Sequence, residues 1–206
     1  MENTAYKSNE KPDFSIGRGK KPLYVFYFAL LLSSIMIIAF AIKRGFFVPY
    51  TATSDCDFVY ISQVLLWYSD FKMTYLGHNG YFFILLLSLW IKIGALLGSL
   101  KEISIYGFEQ SSNVADFYSP LVFAGRFFVL FLSVAFIVIY GLIVKSITRS
   151  FILGAAAVLL LSVERGLLLH SVIIRPELVS SLCFLIAVYC LFQSQKESNQ
   201  FWIYPW

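Results

Sequence analysis

The chain has 206 residues, of which 59% are hydrophobic, 18% aromatic and only 14% charged, with a formal net charge of +4. A soluble domain carries about 25% charged residues, so this composition excludes a globular protein wetted on every side and makes lipid part of its solvent. The small positive balance forms no basic stripe, which argues against nucleic acid as a partner, and the three cysteines describe no disulfide framework.

Met1 to Pro22 is polar and holds no cleavable signal peptide, so it reads as a disordered cytoplasmic tail. Leu23 to Ile42 follows without a charge, preceded by Arg18, Lys20 and Lys21, and is expected to span with its N-terminus inside. A long outer loop, residues 43–120, comes next. Within it, Ser54 to Tyr68 reads as an amphipathic surface helix: Ser54 suits an N-cap, Asp57 stands three residues on, and Phe58, Ile61, Leu65 and Tyr68 recur at helical spacing. Residues 81–100 are strongly apolar and long enough to span, but contain Trp90 and Lys92.

Charge decides how that second apolar run is placed. If it spans, the acidic loop 101–118 lies inside, and Lys145 with Arg149 lies outside, against the positive-inside tendency. If it lies along or dips into the outer interface, the acidic loop is outside, and Lys145, Arg149 and Lys196 are inside. The second placement fits better, although Lys43 and Arg44 then follow the first span on the outer side. Further spans are expected over about 121–144, 151–169 and 173–192, with a cytoplasmic tail over 196–206. Pro176 suits the first turn of the last span, and Cys183 and Cys190 within it read as buried free thiols. The expectation is an all-α membrane protein with four transmembrane helices and juxtamembrane surface helices, multi-pass in a bacterial inner membrane.

Three constellations could carry chemistry. In Ser54-Asp55-Cys56-Asp57, two carboxylates two residues apart could hold a divalent cation (Mg or Mn) or raise one another's proton affinity as a general base needs. Equally, both acids could serve only to stabilise a helix N-terminus. Gly77-His78-Asn79-Gly80 allows a tight turn with a histidine able to hydrogen-bond a phosphate or sugar, or an ordinary solvated turn. Arg126, Arg165 and Arg175, with His170, gather at outer helix ends. Arg126 lies about two turns inside its span, roughly 9 Å at 1.5 Å per residue. A cation at that depth is functional, paired or snorkelling. Glu164 and Glu177 could neutralise these arginines. Acids on a surface helix beside arginines at helix ends are what transfer from a phosphate-linked lipid donor requires: a base for the acceptor hydroxyl and cations for the departing phosphate.

The order of these parts resembles the polytopic type C glycosyltransferases, the group that holds protein O-mannosyltransferases and lipid A aminoarabinose transferases. There, a first span leads into an acidic motif and a Tyr on a juxtamembrane helix; Asp55-Cys56-Asp57-Phe58-Val59-Tyr60 takes that place. Gly77-His78-Asn79-Gly80-Tyr81-Phe82 is similar to the next turn without its proline. Phe123-Ala124-Gly125-Arg126 is similar to the A-x-R opening of a span, and Arg175-Pro176-Glu177 to the acid-bearing start of a later one. The likeness covers about residues 23–195. It implies sugar transfer from a polyprenyl-phosphate donor to a protein, lipid or glycan hydroxyl on the outer side. Asp57, with Asp55 as the alternative, would be the catalytic acid; Arg126 and Arg175 would contact the lipid phosphate; His78 and Glu177 would border the donor or acceptor. Family members carry more spans after the matched region, so the resemblance also implies a further membrane subunit or a C-terminal half that completes the donor pocket. Two other readings stay open: a non-catalytic multispan subunit or lipid-binding assembly factor, and a transporter fragment, which would want carboxylates at mid-bilayer depth.

Overall fold

A computed structural model describes residues 20–49, 56–73, 80–111 and 113–201. Among them the chain is helical without strands: α1 (Lys20–Arg44), α2 (Cys56–Tyr68), α3 (Tyr81–Leu96), α4 (Ile105–Gln110), α5 (Val114–Thr148), α6 (Phe151–Ser162), α7 (Arg165–His170) and α8 (Glu177–Phe201). Three helices are long and apolar enough to cross a membrane: Lys20–Arg44, Val114–Thr148 and Glu177–Ser194. Such helices suit a membrane protein, because a helix satisfies its own backbone groups and so can cross hydrocarbon.

α5 is the axis of the molecule. It touches α1, α2, α3, α4, α6, α7 and α8. At 35 residues it is about 52 Å long, against a hydrocarbon layer of about 30 Å. It begins at Val114, seven residues before the expected span, because the Asn113 side chain caps it by accepting from the Ala115 N–H at 3.0 Å. The loop expected over 43–120 therefore ends at Asn113, with Pro120 inside the helix. At the other end Arg149 turns the chain with φ 55°, and Ser150 caps α6 by accepting from the Leu153 N–H. Lys145 lies 4.9 Å over the Phe151 ring there.

The run 151–169 is not one helix. α6 stops after 12 residues, about 18 Å, and Glu164 opens α7 by accepting from the Leu167 N–H at 2.7 Å. A carboxylate that offers a new cap lets the chain break instead of continuing. α3 is also short, running over 81–96 and not to residue 100; Gly98, at φ 75°, turns the chain out of it. α8 starts at Glu177, directly after Pro176. It packs by one edge only, and this corrects the reading of its cysteines: Cys183 and Cys190 are free but exposed.

The core is a continuous apolar cluster along α5, from Phe26, Ile37 and Ala41 of α1 through Ile61 and Leu65 of α2 and Leu87 and Ile91 of α3 to Val158 of α6 and Ile174 before α8. Its buried polar members include Asp57, Arg126, Ser33 and Ser133. The two charged ones meet at the N-terminal half of α5.

Candidate functional site

The site starts from a cation that the fold has to neutralise. Arg126 projects from α5 and is only 2% exposed, and Asp57, in the first turn of α2, is fully buried. The Arg126 Nε–H donates to Asp57 Oδ2 at 2.9 Å, and Nη2 lies 2.8 Å from the same oxygen. The other carboxylate oxygen, Oδ1, accepts from the backbone N–H of Ile174 at 2.7 Å. Arg126 Nη1 donates to the carbonyls of Gly45 (2.9 Å), Phe46 (3.3 Å) and Val48. These carbonyls belong to the turn that follows α1, beyond the helix's own ladder, and buried backbone acceptors there need donors.

One ion pair thus joins the turn after α1, the start of α2, the interior of α5 and the segment before α8. A buried ion pair is tolerable only when its remaining valences are filled, and the carbonyls and the Ile174 N–H fill them. Asp57 lies in the first turn of α2, as expected, and its carboxylate faces Arg126 and the Ile174 N–H. Arg126 is paired and does not snorkel.

Close backbone approach shapes the same junction. A Cβ on Gly125 would stand 2.5 Å from Ile174 Cδ1 and 3.3 Å from Ile61 Cδ1. A Cβ on Gly80 would stand 3.1 Å from the Tyr60 ring and 3.8 Å from Pro176 Cγ. The absent side chains let α2, α5, the start of α3 and the segment before α8 come into contact. The motifs of Asp57 and Tyr60, of Gly80, of Gly125 and Arg126, and of Arg175 to Glu177 therefore form one junction, though Asp57 and Ile174 are 117 residues apart in sequence.

Arg175 differs from Arg126. It is 35% exposed, and its Nη1 reaches Glu177 Oε1 only at 4.0 Å. Its Nε is buried and has no hydrogen-bond partner among the described residues. Glu177 is half exposed. Asp55 and His78 lie outside the described residues. Glu164 caps α7 and Arg165 is exposed on that short helix, so neither belongs to the junction.

Two cavities flank it. One, of about 170 Å³, is bounded by Phe46 to Pro49, Ser119, Val122, Phe123 and Arg126. The other, of about 550 Å³, is an apolar groove between α3 and α5 with Trp90, Leu97, Leu100, Pro120, Phe123 and Phe127 on its walls. Phe123 forms a wall of both, so the groove runs up to the arginine's cavity.

A divalent cation fits poorly on Asp57. Both carboxylate oxygens are engaged, one by a guanidinium whose positive charge would oppose the metal. Away from the junction, hydrogen bonds from the Ser104 hydroxyl and N–H hold the Glu102 carboxyl below its ordinary value.

Sequence reasoning singled out Asp57, Arg126, Arg175 and Glu177, but not the carbonyls of Gly45, Phe46 and Val48 or the N–H of Ile174 that surround the first two. Backbone groups carry no residue signature; the small residues Gly45 and Gly125 were the available hint of close packing. No family model matches this chain, and no curated protein and no solved structure matches it.

Proposed function

We propose that this chain is a membrane glycosyltransferase module of the type C kind, passing a sugar from a polyprenyl-phosphate donor to a lipid, glycan or protein hydroxyl on the non-cytoplasmic face. The observation that carries this reading is that the acid motif and the A-G-R motif meet in one buried ion pair, with the R-P-E motif following directly on the Ile174 N–H that holds the acid. The apolar groove beside it has the character an isoprenoid chain needs, and its shared Phe123 wall leads toward Arg126.

The geometry divides the roles of the cations. Arg126 is committed to Asp57 and to three carbonyls, so it is the residue that orients the acid. Arg175, with a buried Nε lacking a partner among the described residues, is the cation with donors to offer a lipid phosphate, and Glu177 limits where it points. Asp57 would take the proton of the acceptor hydroxyl as that hydroxyl attacks the anomeric carbon and the sugar–phosphate bond breaks, and Arg175 would receive the departing phosphate's charge. Since Asp57 is fully enclosed, this requires the 45–48 turn or the 172–176 segment to move aside when donor and acceptor arrive.

That enclosure favours a second reading, in which the ion pair is only a clasp in a non-catalytic membrane subunit or assembly factor. The two separate in a transfer assay. Membranes carrying the chain are given polyprenyl phosphates bearing radiolabelled hexoses or pentoses, and label reaching lipid, glycan or protein is counted. Asp57→Asn is expected to lower transfer about 100-fold or more while the chain still inserts, and Arg175→Gln to raise the donor concentration needed. Wild-type transfer by a folded Asp57→Asn chain would remove Asp57 from the chemistry. No transfer from any donor by the wild-type chain would leave the clasp reading standing.

A further inference from the structure

We infer that α3 lies crosswise within the hydrocarbon of one leaflet, below the headgroups, and that its outward face is an interaction surface for lipid acyl chains. The inference needs only that α5 spans, and does not depend on glycosyl transfer.

The first observation is the helix's surface. An interfacial helix shows a polar face to water. α3 buries Phe83, Ile84, Leu87 and Ile91 against the protein, and its outward side is also apolar: Phe82 is 54% exposed, Leu89 56%, Ile93 43% and Leu96 78%. Lys92 is the single charge on the helix, and its stem is long enough to reach headgroups from below. A helix apolar all round belongs in an apolar medium.

The second observation is depth. Trp90 donates its indole N–H to the Ala124 carbonyl at 3.0 Å and stacks on Phe127 and Phe131 of α5 at 6.0 and 6.1 Å. Phe83 meets Phe128, while Leu97 and Leu100 share the groove with Pro120 and Phe123. The whole of α3 thus crosses α5 between residues 120 and 131. Counting about 25 residues back from Lys145, the length of a tilted span, puts the upper edge of hydrocarbon near Pro120. The crossing then occupies roughly the first 16 Å of α5 beneath that edge. Phe123, Phe127 and Phe131, all about half exposed, continue the outward surface of α3 onto a helix that must itself meet lipid.

The third observation is the end of the helix. The N–H groups of Leu97, Gly98 and Ser99 return to the carbonyls of Ile93, Ala95 and Gly94, and the Ser99 hydroxyl also donates to Gly94. Backbone acceptors satisfied within the segment are what a lipid medium demands.

The experiment is spin labelling of the whole chain in phosphatidylcholine–phosphatidylglycerol vesicles, with Cys56, Cys183 and Cys190 replaced by serine. Single labels are placed through Leu89→Cys, Leu96→Cys and, as the aqueous reference, Lys101→Cys. Collision rates with oxygen, which concentrates in hydrocarbon, and with a neutral nickel chelate, which stays in water, are then compared. The oxygen-to-nickel ratio at positions 89 and 96 is expected to exceed that at 101 by about tenfold, since water is absent from the layer. Nickel access equal to the reference would overturn the inference by placing α3 in water. Low access to both reagents would overturn it differently, showing the face covered by protein, whether a second copy or another subunit.

Discussion

The two ends of α5 are closed by opposite means. Toward its C-terminus, α1, α5 and α6 meet through Gly141 and Gly154: a Cβ on Gly141 would collide with Val158 and come within 3.3 Å of Leu30, and one on Gly154 would stand 2.9 Å from the Phe26 ring. Toward its N-terminus the closure is an ion pair with a ring of backbone partners around it. Where lipid is part of the solvent, apolar burial hardly favours one helix pairing over another, so close approach at small residues and satisfied polar contacts choose the partners. The apolar seam fixes which helices are adjacent. The polar node fixes where loop backbone, which has no other register signal, must sit. A junction of the second kind suits a site, because it gathers residues from four segments.

The largest effect should come from splitting the pair. Asp57→Leu leaves a guanidinium buried without its counter-charge, and Arg126→Met strands the carboxylate. Each should cost about 3–5 kcal/mol of stability. Asp57→Leu combined with Arg126→Met removes both charges and should be less destabilised than either single variant. It would still lack the hydrogen bonds to the Gly45, Phe46 and Val48 carbonyls, a residual loss of about 1–3 kcal/mol. Reversible unfolding in mild detergent reads all three. Losses that simply add in the double variant would mean the two charges are not coupled, and the contrast between the ends of α5 would collapse.

The apolar end should give a smaller, purely steric response. Gly141→Ala inserts a methyl against Val158 Cγ2, and overpacking of this kind costs about 1–3 kcal/mol. Adding Val158→Ala opens the space again, so the pair of substitutions should recover part of the loss in the same unfolding assay. A neutral Gly141→Ala would show that the α5–α6 seam is loose, and that helix adjacency is set elsewhere.

How much of this was legible beforehand follows the same division. Long uncharged runs such as Leu23 to Ile42 declare themselves, because composition alone sets the medium they need. Asp57 and Arg126 were each legible as costly charges near apolar runs, but their meeting was not: 69 residues separate them, and periodicity reports faces within an element, never contacts between elements. The early start of α5 and the break after α6 were written in Asn113 and Glu164, residues of capping type whose side chains accept from N–H groups two and three positions on. Apolarity set the expected bounds instead: the span over 151–169 ran across Glu164, and the span from 121 began well past Asn113. The cysteines of α8 were expected inside because a thiol favours burial, yet in a membrane the outward face is apolar too.

The smallest prediction contrasts two carboxylates. Asp57 is sealed from solvent, whereas Glu102 is exposed in the turn between α3 and α4 and accepts from the Ser104 hydroxyl at 2.7 Å and the Ser104 N–H at 2.9 Å. Those bonds favour its ionised form, so its folded pKa lies below the ordinary 4.5. The sign follows: the contribution is fully present above the unfolded carboxylate value and is lost as pH falls through the depressed folded one. Ser104→Ala, which removes the largest cause, should move the Glu102 titration upward toward its ordinary value in an NMR pH series. The stability gap between Ser104→Ala and the wild-type chain should be open at neutral pH and close in acid. Because the group stands in water, that gap should be far smaller than the one at Asp57. If it rivalled the loss in Asp57→Leu, burial would not be what makes the charge at the N-terminal end of α5 count.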